Sequence, residues 1–289
     1  MYTDYVVKDL RVTPGDSAYL IFDDKIAILY DSGFAFTGEK LSLLIKDILG
    51  DRKLDYIFLT HSHYDHCLGS AYVLEHYPDA KVVAGRHTAE VFMRPHAIDK
   101  MRELDNAHAK HFGTTSYDFK GHNLKVDMVV SEGDRISDGN FDFTVLELPG
   151  HTKCSIGFYE NNSKILFSNE TLGIYHKDGI LPICLTGFCD AIASIKKLKA
   201  LDLNGVLIPH LGLINKESTT HYLSIVEGEF MKAKEIILGN LKKGTPREQI
   251  IELFENEFIA GPIADIYPPD AARLNTTLMI KLIEKEFLA

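Results

Sequence analysis

The first half of the chain alternates short apolar runs with turn residues. Ala18–Phe22 and Ile26–Tyr30 are apolar segments separated by two aspartates and a lysine, a pattern that predicts a β-hairpin. Gly38–Leu49 spaces its leucines and isoleucines by three or four residues, which predicts a helix that ends at Gly50. Further strands are predicted at Leu54–Leu59, Lys81–Ala84, Leu124–Val130, Phe141–Leu148, Ser155–Glu160, Lys164–Ser168 and Val206–Ile208, with a helical excursion over Thr88–Phe112.

Beyond Gly212 the pattern becomes almost purely helical. An apolar stripe steps by three or four residues from Leu223 to Leu241, and it belongs either to the core or to the interface of a homodimer. Thr245-Pro246-Arg247-Glu248 predicts a capping box for the next helix, and a last helix is predicted through Leu288. We therefore expect an α+β fold with a catalytic domain over 1–213 and a helical C-terminal extension over 214–289.

Composition narrows the class of protein. The 289 residues are 45% hydrophobic and 25% charged, which is typical of a globular chain and excludes general disorder. A net charge of −10 argues against a nucleic-acid partner. The N-terminus has no basic and apolar targeting pattern, no apolar run is long enough to cross a membrane, and the four cysteines form no CxxC pair. We expect a cytoplasmic protein with reduced thiols and no membrane partner.

A histidine cluster carries the strongest chemical signal. His61, His63, Asp65 and His66 lie within six positions directly after a predicted strand. Such groups need hydrogen bonds or a metal ion when they are buried, and the alternation of a strand end sends His61 and His63 to the same side. Three further candidates also follow predicted strands, where rigid scaffolds commonly present functional groups: His151, Glu170 and His210.

Taken together, these motifs resemble the metallo-β-lactamase superfamily of metal-dependent hydrolases. The signature is His-x-His-x-Asp-His followed by separate histidine, acidic and histidine positions, and the likeness extends from about Asp16 to Gly212, including Asp31-Ser32-Gly33 and Pro149-Gly150-His151-Thr152. The resemblance implies an αββα sandwich with two divalent metal ions, zinc foremost and iron or manganese as alternatives. It assigns His61, His63 and His151 to one ion and Asp65, His66 and His210 to the other. Glu170 stands where most members have a bridging aspartate.

The resemblance also implies a reaction. Two ions would lower the pKa of a shared water, and the hydroxide would attack a small-molecule thioester, ester or lactone while Asp65 orients it and passes a proton to the leaving group. Relatives include glyoxalase II, lactonases and the quinolone-signal response thioesterase, which combines a similar core with C-terminal helices. Tyr175 and His176, shortly after Glu170, are further candidates for catalytic contacts with the substrate.

Two other functions remain open. The first is a phosphodiesterase with the same metal site. The second is a protein without useful turnover that keeps the metals and senses a ligand or binds a partner. Among the remaining singled-out residues, we interpret His96, His108 and His111 as neutral or surface histidines of a charged helix and Cys67 as a buried thiol.

Overall fold

The computed structural model describes residues 4–176, 179–259, 263–264 and 269–288. The strands are β1 Val6–Asp9, β2 Tyr19–Phe22, β3 Ala27–Tyr30, β4 Tyr56–Phe58, β5 Lys81–Gly85, β6 Met128–Val130, β7 Arg135–Asp138, β8 Phe141–Glu147, β9 Ile156–Glu160, β10 Ile165–Phe167, β11 Ile174–His176, β12 Gly179–Leu181, β13 Gly205–Ile208 and β14 Gly212–Asn215. The α-helices are α1 Gly38–Leu49, α2 Tyr64–Cys67, α3 Ser70–His76, α4 Arg86–Phe92, α5 Pro95–His111, α6 Phe188–Lys199, α7 Lys216–Lys242, α8 Arg247–Phe258 and α9 Pro269–Phe287. Within the described residues, none of these helices is apolar over enough of its length to cross a membrane.

The chain divides into two compact units, of which the first runs to Glu147 and includes Ile156–Lys164. Its main sheet has the order β1-β2-β3-β4-β5-β6, antiparallel over the first three strands and parallel from β3 onward. Strands β3 and β4 are apolar at nearly every position because the sheet is covered on both faces. One face packs against α1 and α3 through Leu41, Ile45 and Ala71.

The other face of this sheet packs against a second layer of strands through aromatic rings. Strands β7, β8 and β9 form antiparallel pairs within the same unit. The ring of Phe58 on β4 stacks on that of Phe158 at 4.4 Å between centroids and meets Phe143 edge-on at 5.3 Å. The layers of the first unit are therefore helices, the main sheet and a second layer of strands. The buried aromatic rings form the core between the two layers of strands.

The second unit comprises Leu148–Ser155 and the chain from Ile165 onward. Its strands β10 and β13 are parallel, β14 is antiparallel to β13, and β11 and β12 form a separate hairpin. Helices α7, α8 and α9 pack on one another, and α6 packs on α7. The long helix α7 buries the stripe that contains Val226, Phe230 and Ile237.

The α+β prediction is confirmed, and helices lie between strands along the chain as predicted. The predicted capping box is wrong: Pro246 is the N-cap residue of α8, and the Thr245 hydroxyl donates to the Asn240 side chain instead. Strand β6 is shorter than predicted, and the helical excursion is divided into α4 and α5 at Met93 and Arg94. The functional division after residue 213 stays a prediction.

Candidate metal centre

The histidine motif begins where β4 leaves the centre of the main sheet. The Leu59 N–H still donates to the Val83 carbonyl of the neighbouring strand. The chain leaves the sheet at Thr60, and the next residue, His61, is fully buried. His63 is extended at the N-cap of the short helix α2, and the N–H groups of His66 and Cys67 both donate to its carbonyl. The turn brings the ring of His61 to 4.6 Å from that of His63 and 4.1 Å from that of His66, between centroids.

Asp31 holds this motif from the neighbouring strand. It follows β3, is fully buried, and has a left-handed φ of 51°, which is strained for a residue with a side chain. Its carboxylate accepts hydrogen bonds from the Ser17 hydroxyl, the Thr60 N–H, the Thr60 hydroxyl and His66 Nδ1. The Asp-Ser-Gly segment is recognisable in the sequence, but no role for Asp31 can be predicted from it, because the number of donors around a carboxylate depends on the folded structure.

These bonds decide which nitrogen of each imidazole faces the site. His66 Nδ1 lies 2.7 Å from Asp31 Oδ2, and since a carboxylate only accepts, Nδ1 carries the proton. The Thr60 hydroxyl uses its proton on Asp31 and so accepts from His61 Nδ1 at 2.9 Å. His151 Nδ1 likewise faces the Ile183 carbonyl at 3.3 Å. In the rings of His61 and His66, Nε2 is therefore the nitrogen with a lone pair, which is the arrangement of metal-binding histidines.

The second unit presents His151 on the loop after β8. Gly150 has a φ of +138° and its carbonyl accepts from the N–H groups of Leu185, Thr186 and Gly187. A Cβ at Gly150 would lie 2.5 Å from the Cα of Ala191 on α6, so glycine is required by close backbone approach. This packing fixes the direction in which His151 leaves the loop.

Glu170 and His210 follow two parallel strands of the second unit. Glu170 comes after β10 and His210 after β13, and because the strands are parallel both residues lie at the same edge. Glu170 Oε2 is 2.8 Å from His151 Nε2, and Glu170 Oε1 is 3.3 Å from His210 Nε2. All three side chains are buried, and His210 has a left-handed φ of 64°. One carboxylate thus faces two imidazole nitrogens.

Among the described residues, each unit offers side-chain atoms that could bind a metal ion. In the first unit, the candidate ligand atoms of His61 and His63 lie within 4.8 Å of each other, as do those of Asp65 and His66, and in the second unit those of His151 and Glu170 do so. Imidazole and carboxylate donors suit zinc, iron and manganese. The donor set and the hydrogen bonds on the far side of three of the rings therefore fit divalent metal ions.

The two further catalytic candidates lie on strand β11. The half-buried ring of Tyr175 stacks on that of Tyr222 from α7, with 4.6 Å between centroids and 28° between planes. The backbone of His176 ends the same strand, but its side chain lies outside the described residues. No sequence motif singles out Tyr222, which directly precedes the predicted apolar stripe that begins at Leu223.

Of the two interpretations of His108, the structure excludes the surface position. Its side chain on α5 is buried, its ring stacks on Phe34 at 4.9 Å, and its Nδ1 is 3.0 Å from the hydroxyl of Tyr64 inside the histidine motif. The other two residues of that set, His96 and His111, are exposed as predicted. The Cys67 thiol is buried, also as predicted.

Comparison with known families assigns the chain to one of them. Residues 14–203, well over half of the chain, match the family model of the metallo-beta-lactamase superfamily. The chain belongs to this superfamily. Its fold is the one expected from the resemblance, and the matched segment contains the ligand candidates except His210.

Individual superfamily relatives are distant. The hydroxyacylglutathione hydrolase of Pectobacterium atrosepticum is 31% identical over 116 residues, 40% of this chain and 32% of that protein. The acyl-coenzyme A thioesterase MBLAC2 of Bos taurus is 27% identical over 117 residues, 39% of each chain. The chain thus matches between about a third and two fifths of the length of these two relatives.

A solved structure extends the likeness in fold over most of the chain. A metallo-beta-lactamase family protein from Thermus thermophilus superposes with a TM-score of 0.65 over 93% of this chain and 88% of that one, at 17% sequence identity. At this identity the likeness concerns the fold alone.

Proposed function

We propose that this chain is a dinuclear metal-dependent hydrolase of small-molecule thioesters, esters or lactones. The observation that carries the proposal is the set of three buried imidazoles whose Nδ1 atoms are each engaged by a hydrogen-bond acceptor, together with the carboxylate of Glu170 facing His151 and His210. Structural polar cores do not need three rings that all direct Nε2 inward, whereas a metal centre does.

In the proposed centre, His61, His63 and His151 would hold one ion, and Asp65, His66 and His210 the other, with Glu170 between them. Bound divalent ions would lower the pKa of water and polarise the bond to be cleaved. Zinc is the metal we expect first, with iron or manganese as alternatives. The buried hydrogen bonds that the imidazoles of His66 and His61 donate to Asp31 and Thr60 keep these rings in the tautomer that leaves Nε2 for metal binding.

The remaining proposed roles are proton transfer by Asp65 and substrate contacts by Tyr175 and His176. The Asp65 side chain is 18% exposed, so it can exchange a proton with a leaving group while it binds metal. We propose that Tyr175 and His176 contact the substrate. The substrate class is supported by the names of the relatives, one an acyl-coenzyme A thioesterase and another a hydroxyacylglutathione hydrolase.

The setting of the reaction is also part of the proposal. We infer a small-molecule substrate, without a nucleic-acid or membrane partner, in the cytoplasm, where the free cysteines would stay reduced. A homodimer through the helical extension is a further expectation.

Substrate panels on the purified protein test this function. Thioester, lactone and phosphodiester compounds are offered to the protein as isolated, after chelation, and after zinc, iron or manganese is restored. We expect thioester or lactone hydrolysis that is lost on chelation and returns with metal. Phosphodiester turnover alone would favour a phosphodiesterase. Tight ligand binding without any turnover would favour a sensor, and either result would overturn the proposal.

A further inference from the structure

The turn that presents Glu170 is fixed by side chains on several sides. Glu170–Leu172 forms a short 3-10 helix in which the Gly173 N–H donates to the Glu170 carbonyl at 2.8 Å. The Asn169 side chain accepts from the Thr171 N–H at 2.7 Å, and the Thr171 hydroxyl donates to the Leu148 carbonyl at 2.6 Å. Glu170 therefore sits on a backbone with little freedom.

The last support of this turn comes from the helical extension. Tyr222 on α7 is completely buried, and its hydroxyl lies 2.9 Å from the Leu172 carbonyl and 3.0 Å from the Gly173 carbonyl. Burial raises the pKa of this hydroxyl well above 10, with smaller contributions from Tyr175 and Glu170, so it is protonated at neutral pH and can donate to both carbonyls. One proton is shared between two carbonyls that lie two and three residues after Glu170.

The backbone at this point is closely packed against β12. Gly173 has a φ of +78°, and a Cβ there would lie 2.6 Å from the Leu181 carbonyl oxygen and 2.7 Å from Ile180 Cγ2. Removing the Tyr222 hydroxyl would take a hydrogen-bond donor from two carbonyls of this buried segment, which is costly.

We propose that Tyr222 is a positioning residue that fixes the Glu170 turn from α7 and thereby sets the metal affinity of the centre. The inference rests on the proposed function and gives the helical extension a part in it. Tyr222 contacts no substrate in this account. It acts through the Leu172 and Gly173 carbonyls on Glu170 and, by ring stacking, on the orientation of Tyr175.

Tyr222→Phe is the informative variant, because it keeps the ring and its stacking and removes only the hydroxyl. Thr219→Val is its matched control: Thr219 lies three residues earlier on the same helix, is also buried, and its hydroxyl makes no hydrogen bond within the described part of the chain. Both variants remove one buried hydroxyl from α7, but only the first touches the Glu170 turn. Thr171→Val, which removes an independent support of the turn, serves as a second test variant if Tyr222→Phe folds poorly.

Zinc titration and hydrogen exchange are measured on all four full-length proteins, and kcat and KM on the zinc-loaded forms. We expect Tyr222→Phe to bind the weaker zinc ion about 10-fold less tightly than wild type, as outer-shell substitutions do, and to lower kcat more than it changes KM. The Gly173 amide should exchange faster in the metal-free variant. Thr219→Val should match wild type in all three readouts.

The outcomes separate this inference from the proposed function. If wild type binds zinc and Tyr222→Phe has the affinity, kcat and exchange rate of Thr219→Val, Tyr222 is an ordinary core tyrosine and the inference is overturned. If wild type binds no zinc, the proposed function fails and the metal-affinity role of Tyr222 fails with it. Faster Gly173 exchange in Tyr222→Phe would then still identify the residue as the support of the turn.

Discussion

At the scale of single residues, the centre depends on one carboxylate that binds no metal in this account. Asp31 accepts four hydrogen bonds in a fully buried position, and it holds both Thr60 and His66. Its left-handed φ is compatible with asparagine as well as aspartate. A substitution by asparagine therefore changes the hydrogen bonds without adding backbone strain.

We expect Asp31→Asn to weaken metal binding by about 10- to 100-fold and to lower the free energy of unfolding by about 1–3 kcal/mol. In the wild-type protein, Asp31 Oδ2 accepts hydrogen bonds from both His66 and Ser17. The asparagine side chain places an NH2 group, which only donates, in that position, so it cannot accept from both residues. Zinc titration and urea unfolding of the variant measure the two effects. An affinity equal to that of wild type would show that the tautomer of His66 does not depend on Asp31.

Glu170 provides a second prediction at this scale. Its carboxylate reaches both His151 and His210 from one turn, and Glu170→Asp shortens that reach by one methylene. We expect the zinc affinity of Glu170→Asp to fall by more than about 10-fold. A loss of that size is typical when a residue that supports a metal ligand is substituted. Glu170→Gln, which keeps the length and removes the charge, is the control for reach. Wild-type affinity in Glu170→Asp would mean that the length of this side chain does not determine metal binding.

Residue type and spacing predict the candidate metal ligands, but not the residues that hold these ligands in position. The motif from His61 to His66 and the isolated His151, Glu170 and His210 could be selected because each follows an apolar strand. The supporting roles of Asp31 and Tyr222 depend on bonds between residues distant in sequence. The burial of His108 could not be predicted because its helix is highly charged, while the aromatic rings that bury it come from other segments.

At the scale of elements, the site lies at strand ends. In the first unit β3 and β4 run in parallel, so Asp31 and Thr60 follow neighbouring strands at one edge. In the second unit β10 and β13 do the same for Glu170 and His210. Long apolar runs such as β3 were predictable. Strand β7 was not, because only Ile136 of its four residues is buried and an edge strand leaves little hydrophobic pattern.

Helix α5 provides a prediction for pH. Asp105 on this helix is fully buried and accepts the Ala35 N–H at 2.9 Å. Burial raises the pKa of its carboxyl from 3.8 to about 7, although hydrogen bonds from Tyr117, Ala35 and Phe36 oppose the rise. Because the folded-state pKa exceeds the unfolded value, the native state binds this proton more tightly. Its contribution to stability is therefore present at low pH and lost as pH rises from about 4 to about 7.

We expect the free energy of unfolding to fall by at most about 1.4 kcal/mol per pH unit across this window through Asp105 alone. Asp105→Asn cannot titrate and should show a flatter dependence. Urea unfolding of both proteins at intervals between the two pKa values measures the difference. Parallel curves would indicate that Asp105 keeps its ordinary pKa in the folded protein.

At the scale of the whole molecule, family membership and the α+β fold could be inferred from motif order and strand pattern, and both are confirmed. The division into two compact units could not be inferred from the sequence. The loop Leu148–Ser155 belongs to one unit, whereas the strands β8 and β9 on either side of it belong to the other. Contacts between segments distant in sequence decide such a division. Net charge and composition constrain the partner class but not the substrate.

The central claim is that the order of imidazoles and carboxylates along this chain corresponds to a centre for two metal ions. Elemental analysis of the metal-reconstituted wild-type protein beside His63→Ala and Asp65→Ala measures this most directly. The account predicts two equivalents of divalent metal per chain in wild type and about one in each variant, because each substitution removes a ligand from a different ion. A metal content that is unchanged in both variants, or absent from wild type, would contradict it.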